Sequence, residues 1–334
     1  MNTSNLFPII AASVLSCTVL PSPSRAAEKD DVLVLSFFRD NGQAGIFLAA
    51  SEDGLRFTPL NEDNPVMKPA PWKGQGLTRD PSIVFHDGKF HAVWTSSWSG
   101  DCFGYAESPD LVTWSEPVQV KPFPEGLSAE ERPGNVWAPE ICWDPIQMDY
   151  AIFWASTVKS VPGGHRIYIT RTTDGKTFTA AKRFFDQNFN VIDGMMVFDD
   201  CGAADPKAGR WVMVVKNESG IPEGGKNLRL TFAPADFSQP WEPAGNPIAG
   251  PGSSVCPNEM AEGPSLLKWK KGWLLYWDAF ANGHYSMASS PDLKIWTDRT
   301  SELQMPPRLR HGTVFRAPRA AVGWLKKAAA TKAP

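Results

Sequence analysis

Cysteine and histidine are scarce in this sequence, with five of each among 334 residues. None of the cysteines has the spacing of a zinc finger, so a fold built around that kind of metal site is excluded. No long run of one charge occurs before the C-terminal tail, and the formal net charge is only -3. That balance is not typical of nucleic-acid-binding proteins, and no nucleic acid partner is expected. Helical periodicity is almost absent, which leaves short strands as the expected elements.

The sequence has one apolar run, at its N-terminus. It occupies residues 6–20 and is followed by small residues that end at Ala27. This order is typical of a secretory signal peptide, here residues 1–27, and the run is too short for a comfortable transmembrane span. We therefore expect a secreted or periplasmic protein without a membrane span. Lipoprotein anchoring at Cys17 is the less favoured alternative, because Leu15 lies beside a position that prefers small residues.

Removal of that signal would leave an even set of cysteines. They are Cys102, Cys142, Cys201 and Cys256. In an oxidising compartment these four could pair in three ways. Buried free thiols are an equally good interpretation, so the pairing stays open.

A short phrase recurs along the chain at intervals of 56 to 64 residues. It consists of Ser or Thr, then Asp two positions later, then an aromatic residue four positions after that. Its clear copies occupy residues 51–57, 108–114, 172–178 and 290–296, and a looser copy occupies 234–241. Ser, Thr and Asp side chains bind nearby backbone groups in turns, so the phrase predicts one turn in each unit of a repeat.

Short alternating strands surround each copy of the phrase, and five such units predict an all-β fold, a five-bladed β-propeller. We assign residues 28–322 to this domain. The first copy lacks a preceding strand group, whereas residues 311–316 form an extra strand after the last copy. Blade five is therefore expected to be closed by N- and C-terminal strands, with residues 32–38 and 44–49 as its outer strands. The small, basic tail at 323–334 is expected to be disordered.

In a propeller the first strand of each blade lines the central channel, so the opening residues of these strands should converge on one axial site. When the opening residues of the five strands are aligned, four carboxylates and one histidine occupy equivalent places. They are Asp80, Glu140, Asp193, Glu262 and His311. One such acid alone is more often structural. Like charges clustered around one axis repel one another, and a cost of this kind is typical of functional sites.

Paired carboxyl groups suit the hydrolysis of a glycosidic bond. Inversion needs an acid and, on the opposite face of the sugar, a base that activates water, with the two carboxyl groups about 6.5–9.5 Å apart. Asp80 in blade one and Glu262 in blade four are not neighbours in a ring of five, so they should face each other across the axis. We expect Asp80 to be the general base and Glu262 the general acid. Asp193, in the blade beside Glu262, should raise the pKa of that acid and orient it.

These openings resemble those of the family-43 glycoside hydrolases, five-bladed propellers that include β-xylosidases, α-L-arabinofuranosidases, arabinanases and galactosidases. The resemblance extends over nearly all of the mature chain. The motifs that show the resemblance are Arg79-Asp80-Pro81-Ser82, Val136-Trp137-Ala138-Pro139-Glu140, Ile192-Asp193-Gly194, Glu262-Gly263-Pro264 and His311-Gly312. It implies the same three catalytic roles for Asp80, Asp193 and Glu262. It also implies that His311 matches a histidine that binds an axial calcium in many members, although a plain hydrogen-bonding role is an equally good interpretation.

Four further residues are predicted to bind substrate. Trp137 and Trp98 are the better candidates among 14 tryptophans for stacking on a sugar ring, because both lie in loops at the channel. Arg79 and Glu140 stand at the openings of inner strands. Lys216 and Glu218 lie at the end of another strand and are left out of the site, since strand-end charge is more often solvated.

The expected function is hydrolysis of plant-type poly- or oligosaccharides (arabinofuranosyl, xylosyl or galactosyl), with inversion and exo action. We expect a monomer that requires no cofactor, with a structural calcium near His311 as the possible exception. A carbohydrate-binding propeller without catalysis is one alternative. A retaining, invertase-like fructosidase is another, suggested by the Arg79-Asp80-Pro81 phrase. It is less favoured, because the nucleophile and acid motifs of those enzymes do not occur in the sequence.

Overall fold

The computed structural model of the protein describes residues 30–332, with side chains as far as residue 328. The predicted signal peptide at 1–27, including Cys17, lies outside the described residues. The strands of the described chain form five antiparallel sheets of four strands each. The first strand of each sheet contacts the first strands of the two neighbouring sheets, and these contacts close into a ring. The predicted five-bladed β-propeller is confirmed.

Blades one to four each consist of four consecutive strands in sequence order. Blade one contains β4 (Arg79–His86), β5 (Lys89–Thr95), β6 (Phe103–Ser108) and β7 (Val118–Val120). Blade two contains β8 (Trp137–Asp144), β9 (Asp149–Ser156), β10 (Arg166–Thr172) and β11 (Lys182–Phe185). Blade three contains β12 (Val191–Asp199), β13 (Arg210–Asn217), β14 (Asn227–Pro234) and β15 (Pro247–Ala249). Blade four contains β16 (Glu262–Trp269), β17 (Gly272–Ala279), β18 (His284–Ser290) and β19 (Thr297–Asp298).

Blade five joins the two ends of the chain, as predicted. Its inner strand is β20 (Leu309–Pro318), which pairs with β1 (Asp31–Arg39), followed by β2 (Phe47–Ser51) and β3 (Thr58–Pro59). The antiparallel pairing of β1 and β20 extends from Asp31 opposite Pro318 to Arg39 opposite Leu309. The ring is therefore closed by backbone hydrogen bonds between residues that are far apart in sequence.

The recurring phrase forms the turn between the third and fourth strands of a blade. In blade one the Ser108 hydroxyl accepts from the backbone N–H of Leu111 at 2.8 Å, and the Asp110 carboxylate accepts from those of Val112 and Thr113. The other three clear copies repeat these bonds. The residue after each of these aspartates has a positive φ, which explains why glycine occupies two of these positions.

The prediction of a disordered tail is wrong for residues 323–332. A helix, α1 (Arg319–Lys332), follows blade five directly. Ala321, Val322 and Leu325 are buried in the hydrophobic core between blades five and one. Alanine, leucine and lysine favour helix, and the apolar side chains on one face provide the burial that a polar tail would lack.

Each inner strand contains a β-bulge close to its first residue, where two residues stand opposite one residue of the neighbouring strand. The bulged pairs are Asp80 and Pro81, Ala138 and Pro139, Asp193 and Gly194, Gly263 and Pro264, and His311 and Gly312. The first bulged residue has a positive φ of 46 to 55° in blades one to four. A bulge of this type re-aims the side chain and increases the local twist. Asp80 and Asp193 hold this uncommon conformation without being glycine.

The bulges correct the predicted alignment of the five ionisable groups. Asp80, Asp193 and His311 occupy equivalent bulge positions, but Glu262 stands one residue before its bulge and Glu140 one residue after its own. Glu262 is thus equivalent to Arg79, and Glu140 is equivalent to Ser82. The alignment by residue type was wrong for these two glutamates, because an inserted bulge residue shifts the side chains and leaves no mark in the sequence.

Glu140 joins inner strands from three blades. Its Oε2 accepts from the Ser82 hydroxyl of blade one at 2.6 Å, and its Oε1 accepts from the Thr313 hydroxyl of blade five at 2.5 Å. Burial raises the pKa of Glu140 to about 7, although both hydroxyls and His311 act in the opposite direction. A large share of Glu140 is therefore protonated near neutral pH, unlike an ordinary glutamate.

We expect Gly104→Ala to destabilise the fold. A Cβ on Gly104 would lie 2.0 Å from Cε2 of Trp94, a fully buried side chain on the neighbouring strand. Overpacking of this kind typically costs about 1–3 kcal/mol, which denaturant unfolding would measure. The control is Gly323→Ala in α1, where a Cβ meets nothing within 4 Å. A Gly104→Ala protein as stable as the control would contradict this packing.

We expect the stability of the wild type to fall more steeply between pH 5 and pH 8 than that of Glu140→Gln. The folded-state pKa of Glu140, about 7, is above the usual value of 4.5. The stabilisation is therefore complete below the usual value and is lost as the pH rises through the folded value. Glutamine keeps two hydrogen bonds and does not titrate. Urea unfolding at several pH values measures the effect; equal slopes for the two proteins would refute it. Asp193 and His311, whose pKa values are also raised, should leave a residual slope.

Candidate active site

The inner strands begin at a cavity of about 350 Å³ on the propeller axis. Three of its lining carboxylates are the predicted catalytic ones, Asp80, Asp193 and Glu262. The other predicted residues that line it are Arg79, Trp98, Trp137 and His311. Glu140 does not line the cavity, because it follows its bulge and lies deeper in the channel with its oxygens on Ser82 and Thr313. The structure therefore gives Glu140 partners within the protein in place of the predicted contact with substrate.

Asp80 is held by one hydroxyl and one histidine. Its Oδ2 accepts from the Thr95 hydroxyl at 2.7 Å, and its Oδ1 lies 3.5 Å from Nδ1 of His311. Thr95 in turn accepts from the backbone N–H of Ala138 at 2.8 Å, which orients the hydroxyl towards the carboxylate. Burial alone would lower the pKa of His311, but the surrounding anions, chiefly Asp193 and Asp80, raise it. The Thr95 hydroxyl and the His311 imidazole therefore hold the Asp80 carboxylate in one orientation.

Asp193 is the most buried of the three catalytic candidates. Its Oδ2 accepts from the backbone N–H of Gly263 at 3.0 Å. Burial raises the pKa of Asp193 to about 6, and the negative charge of Glu262 adds to this effect, while His311 and Lys216 oppose it. This carboxyl group can therefore hold a proton under mildly acidic conditions.

Glu262 lies between two cations. Its Oε2 is 2.9 Å from Nζ of Lys216, and its Oε1 is 3.0 Å from a guanidinium nitrogen of Arg310. Arg310 also binds Asp278 at 2.7 Å, which fixes its orientation. The sequence predicted a negative neighbour for Glu262. The structure shows that positive neighbours make the direct contacts with its oxygens.

Lys216 and Glu218 belong to the cavity, so their exclusion at the sequence level was wrong. Lys216 is only 1% exposed, and its Nζ lies 2.7 Å from Oε2 of Glu218 as well as near Glu262. Lys226 binds the other oxygen of Glu218 at 2.5 Å. Lys216 lies on β13, opposite Ile192 of β12, the bulged inner strand of blade three. Only this pairing brings the end of β13 to the axis.

One wall of the cavity is aromatic. Trp98 and Trp137 lie edge to face with ring centroids 5.9 Å apart, and the Trp137 ring stacks on His165. Trp137 donates to the backbone carbonyl of Trp98 at 2.9 Å. Trp98 is 52% exposed and donates to Asn41, a cavity residue that the sequence analysis did not single out. An exposed indole held by hydrogen bonds offers a rigid face for the C–H side of a sugar.

The axial calcium that the resemblance implies at His311 does not find a set of side-chain ligands here. Among the described residues, no group of three or more His, Cys, Asp or Glu side chains is arranged to hold a metal ion. The oxygens nearest the channel already accept hydrogen bonds, from Thr95 in the case of Asp80 and from Ser82 and Thr313 in the case of Glu140. Calcium needs about six to eight oxygen ligands, so water would have to supply most of the ligands of a calcium ion at His311.

The four cysteines predicted to remain in the mature chain are free thiols in the structure. Within residues 30–332 there is no helix long and apolar enough to cross a membrane.

Three solved structures share this fold at low sequence identity. A thermostable family-43 glycoside hydrolase is 18% identical over 69% of this chain and 73% of its own, with a TM-score of 0.51. An α-L-arabinofuranosidase from Lactobacillus brevis is 16% identical over 67% of this chain and 72% of its own, with a TM-score of 0.50. A variant of the family-43 protein BlXynB from Bacillus licheniformis is 18% identical over 71% of this chain and 46% of its own, with a TM-score of 0.52.

At such identities these likenesses show the fold alone, and a comparison with curated proteins gives no match. The family comparison is more informative. Residues 31–321 match the family-43-related domain described as a probable glycosyl hydrolase domain. The match includes all five blades and every residue that lines the axial cavity. The chain therefore belongs to the family-43-related glycoside hydrolases, a family of glycosidases.

Proposed function

We propose that the protein inverts the anomeric configuration as it hydrolyses an O-glycosidic bond, with Asp80 as general base and Glu262 as general acid. The observation that carries this proposal is the convergence of Asp80, Asp193 and Glu262 on one axial cavity of about 350 Å³. The three residues come from three different blades. Mechanisms that invert need two carboxyl groups on opposite faces of the sugar ring.

The base is Asp80, whose carboxylate is oriented by its neighbours. Thr95 holds one oxygen, and His311 lies near the other. Blade five, with His311, separates Asp80 in blade one from Glu262 in blade four, so a water molecule has room between the two carboxyl groups. Such a water would attack the anomeric carbon from the side of Asp80 while Glu262 protonates the leaving oxygen.

The acid must receive a proton although two cations touch it. Asp193 has a pKa raised to about 6, mainly by burial and also by the charge of Glu262. Two carboxyl groups that interact in this way titrate as a pair, and the proton belongs to the pair. Lys216 has a second counter-ion, Glu218, at 2.7 Å. Lys216 can therefore leave Glu262 without losing its charge partner, and the pair then supplies the proton to the leaving oxygen through Glu262.

The substrate we propose is a plant-type oligosaccharide with an arabinofuranosyl, xylosyl or galactosyl unit, from which the enzyme removes one terminal sugar at a time. The small cavity and the exposed face of Trp98 support a single stacked sugar ring. One of the solved structures with this fold is an α-L-arabinofuranosidase. We also propose export of the protein and a monomeric state, on the sequence features given above.

Glu262→Gln should reduce kcat by about 10²-fold or more on glycosides that the wild type cleaves, because glutamine cannot donate the proton. The assay uses a panel of nitrophenyl arabinofuranoside, xyloside, galactoside and galactofuranoside, with natural oligosaccharides added. Proton NMR of the first sugar released reports its anomeric configuration, and inversion is expected. The matched control is Glu302→Gln, an exposed glutamate paired with Arg299 outside the cavity.

Each alternative has its own outcome in this assay. Release with retained configuration would contradict the geometry with water between the carboxyl groups and favour an invertase-like mechanism. Binding of sugars without hydrolysis of any substrate would indicate a carbohydrate-binding propeller. Full activity of Glu262→Gln would remove Glu262 from the role of acid.

Lys216→Met should move the basic limb of the kcat/KM profile upwards by about one pH unit. Lys216 lowers the pKa of Asp193, so removal of its positive charge favours the protonated form of the carboxyl pair, which then supplies the proton at higher pH. Lys216→Arg, which keeps the charge, should restore most of the original profile. Lys268→Met, which removes a lysine paired with Asp199 outside the cavity, is the control. An unshifted profile with only a lower kcat would mean that Lys216 acts through packing alone.

A further inference from the structure

Arg79 differs from the other arginine and lysine side chains that line the cavity. Lys216 is paired with Glu218 and Glu262, and Arg310 is paired with Asp278 and Glu262. Arg79 has no carboxylate partner among the described residues. A guanidinium that lines a cavity without a counter-ion is available to an anion from outside.

The guanidinium of Arg79 is held in one orientation by its neighbours. Its central carbon lies 4.1 Å from the ring centroid of Trp98 and 4.7 Å from that of Phe38. Its NH1 donates to Oδ1 of Asn41 at 2.8 Å, and the same oxygen accepts from the indole N–H of Trp98 at 2.9 Å. The side chain is therefore pre-organised, and the cost of ordering it on binding is small.

Several donors of this arrangement remain unused. Within the described residues, Nε and NH2 of Arg79 and Nδ2 of Asn41 make no hydrogen bond, and none of these atoms is fully buried. Oδ1 of Asn41 accepts hydrogen bonds from both Arg79 and Trp98. These bonds fix the orientation of the Asn41 amide, and its Nδ2 donor has no partner among the described residues. Together these atoms offer unused donors at the edge of the Trp98 ring, one face of which the guanidinium covers.

Three of the negative groups that line the same cavity already have cationic partners, so their repulsion of an anion bound at Arg79 is reduced. Asp40 binds Arg308 at 2.6 Å, and Glu218 binds both Lys216 and Lys226. Glu262 has two cations of its own. The remaining unpaired positive charge of the wall is that of Arg79.

We propose that Arg79 and Asn41 bind an anionic substituent of the sugar, a uronate carboxylate or a sulfate ester, while its ring stacks on Trp98. This proposal rests on the proposed function and deepens it, since it names an acidic oligosaccharide as the substrate class. A guanidinium donates two parallel hydrogen bonds to a carboxylate or a sulfate, and hydrogen bonds of this kind are shorter and stronger than those to a neutral hydroxyl.

The test compares sugars that differ in charge, by NMR titration of the full-length protein. The pairs are D-galacturonate with D-galactose and D-glucuronate with D-glucose, and galactose 6-sulfate separates sulfate from carboxylate recognition. We expect the better anionic sugar to bind at least about tenfold more tightly than its neutral partner, a difference of about 1.4 kcal/mol. The preference should decrease as salt is added.

Arg79→Gln should remove this preference, Arg79→Lys should keep part of it, and Asn41→Ala should weaken it. The control is Arg299→Gln, which changes a half-buried arginine paired with Glu302 outside the cavity. Thermal unfolding of each variant shows whether it is folded, and the wild-type comparison tests the proposal even where a variant fails to fold.

Equal binding of charged and neutral sugars by the wild type would overturn the inference, as would a preference that survives in folded Arg79→Gln. If neutral glycosides are hydrolysed in that case, the proposed function still stands. A preference for anionic sugars that depends on Arg79 would support the inference even if neither the neutral panel nor the matching uronic acid glycosides were cleaved, and the proposed function would then fail alone.

Discussion

The axial cavity depends on the β-bulge near the start of every inner strand. Each bulge places two residues opposite one and turns a side chain towards the axis. Two of the catalytic candidates, Asp80 and Asp193, are the bulged residues themselves and have positive φ values. A positive φ costs free energy in a residue other than glycine. The surrounding sheets provide the stabilisation that holds these aspartates in place, and the carboxylates of separate blades meet as a result.

Charge balance is the second constraint, because several acids converge in a small and largely buried space. The structure compensates the charge of each carboxyl group in a different way. Glu262 has Lys216 and Arg310, Asp80 has His311, and burial raises the pKa of Glu140 beneath them to about 7. Each carboxyl group has a different environment and can therefore perform a different task. Asp193, without a direct cation contact, is the member whose pKa is raised to about 6.

The aromatic wall completes the cavity and links it to Arg79. Trp98 contributes an exposed face, a hydrogen bond to Asn41 and a stacking surface for the Arg79 guanidinium. One tryptophan therefore holds both the apolar surface and the cation in fixed positions. A sugar bound there would meet a flat ring on one side and oriented donors beside it. This combination suits a ligand that has both C–H faces and a charge.

The sequence alone determined the propeller, its five units, the closure of blade five, and the identity of Asp80, Asp193 and Glu262 as cavity residues. These features repeat at a regular interval or precede a strand, so they can be read along the chain. The sequence could not place Glu140, Lys216 and Asn41 correctly, nor could it reveal the α1 helix in the tail. A bulge shifts register without any sign in residue type, and Lys216 reaches the axis only through the pairing of β13 with β12. These positions were decided by the tertiary structure, because they arise from contacts between strands whose registers only the folded sheets define.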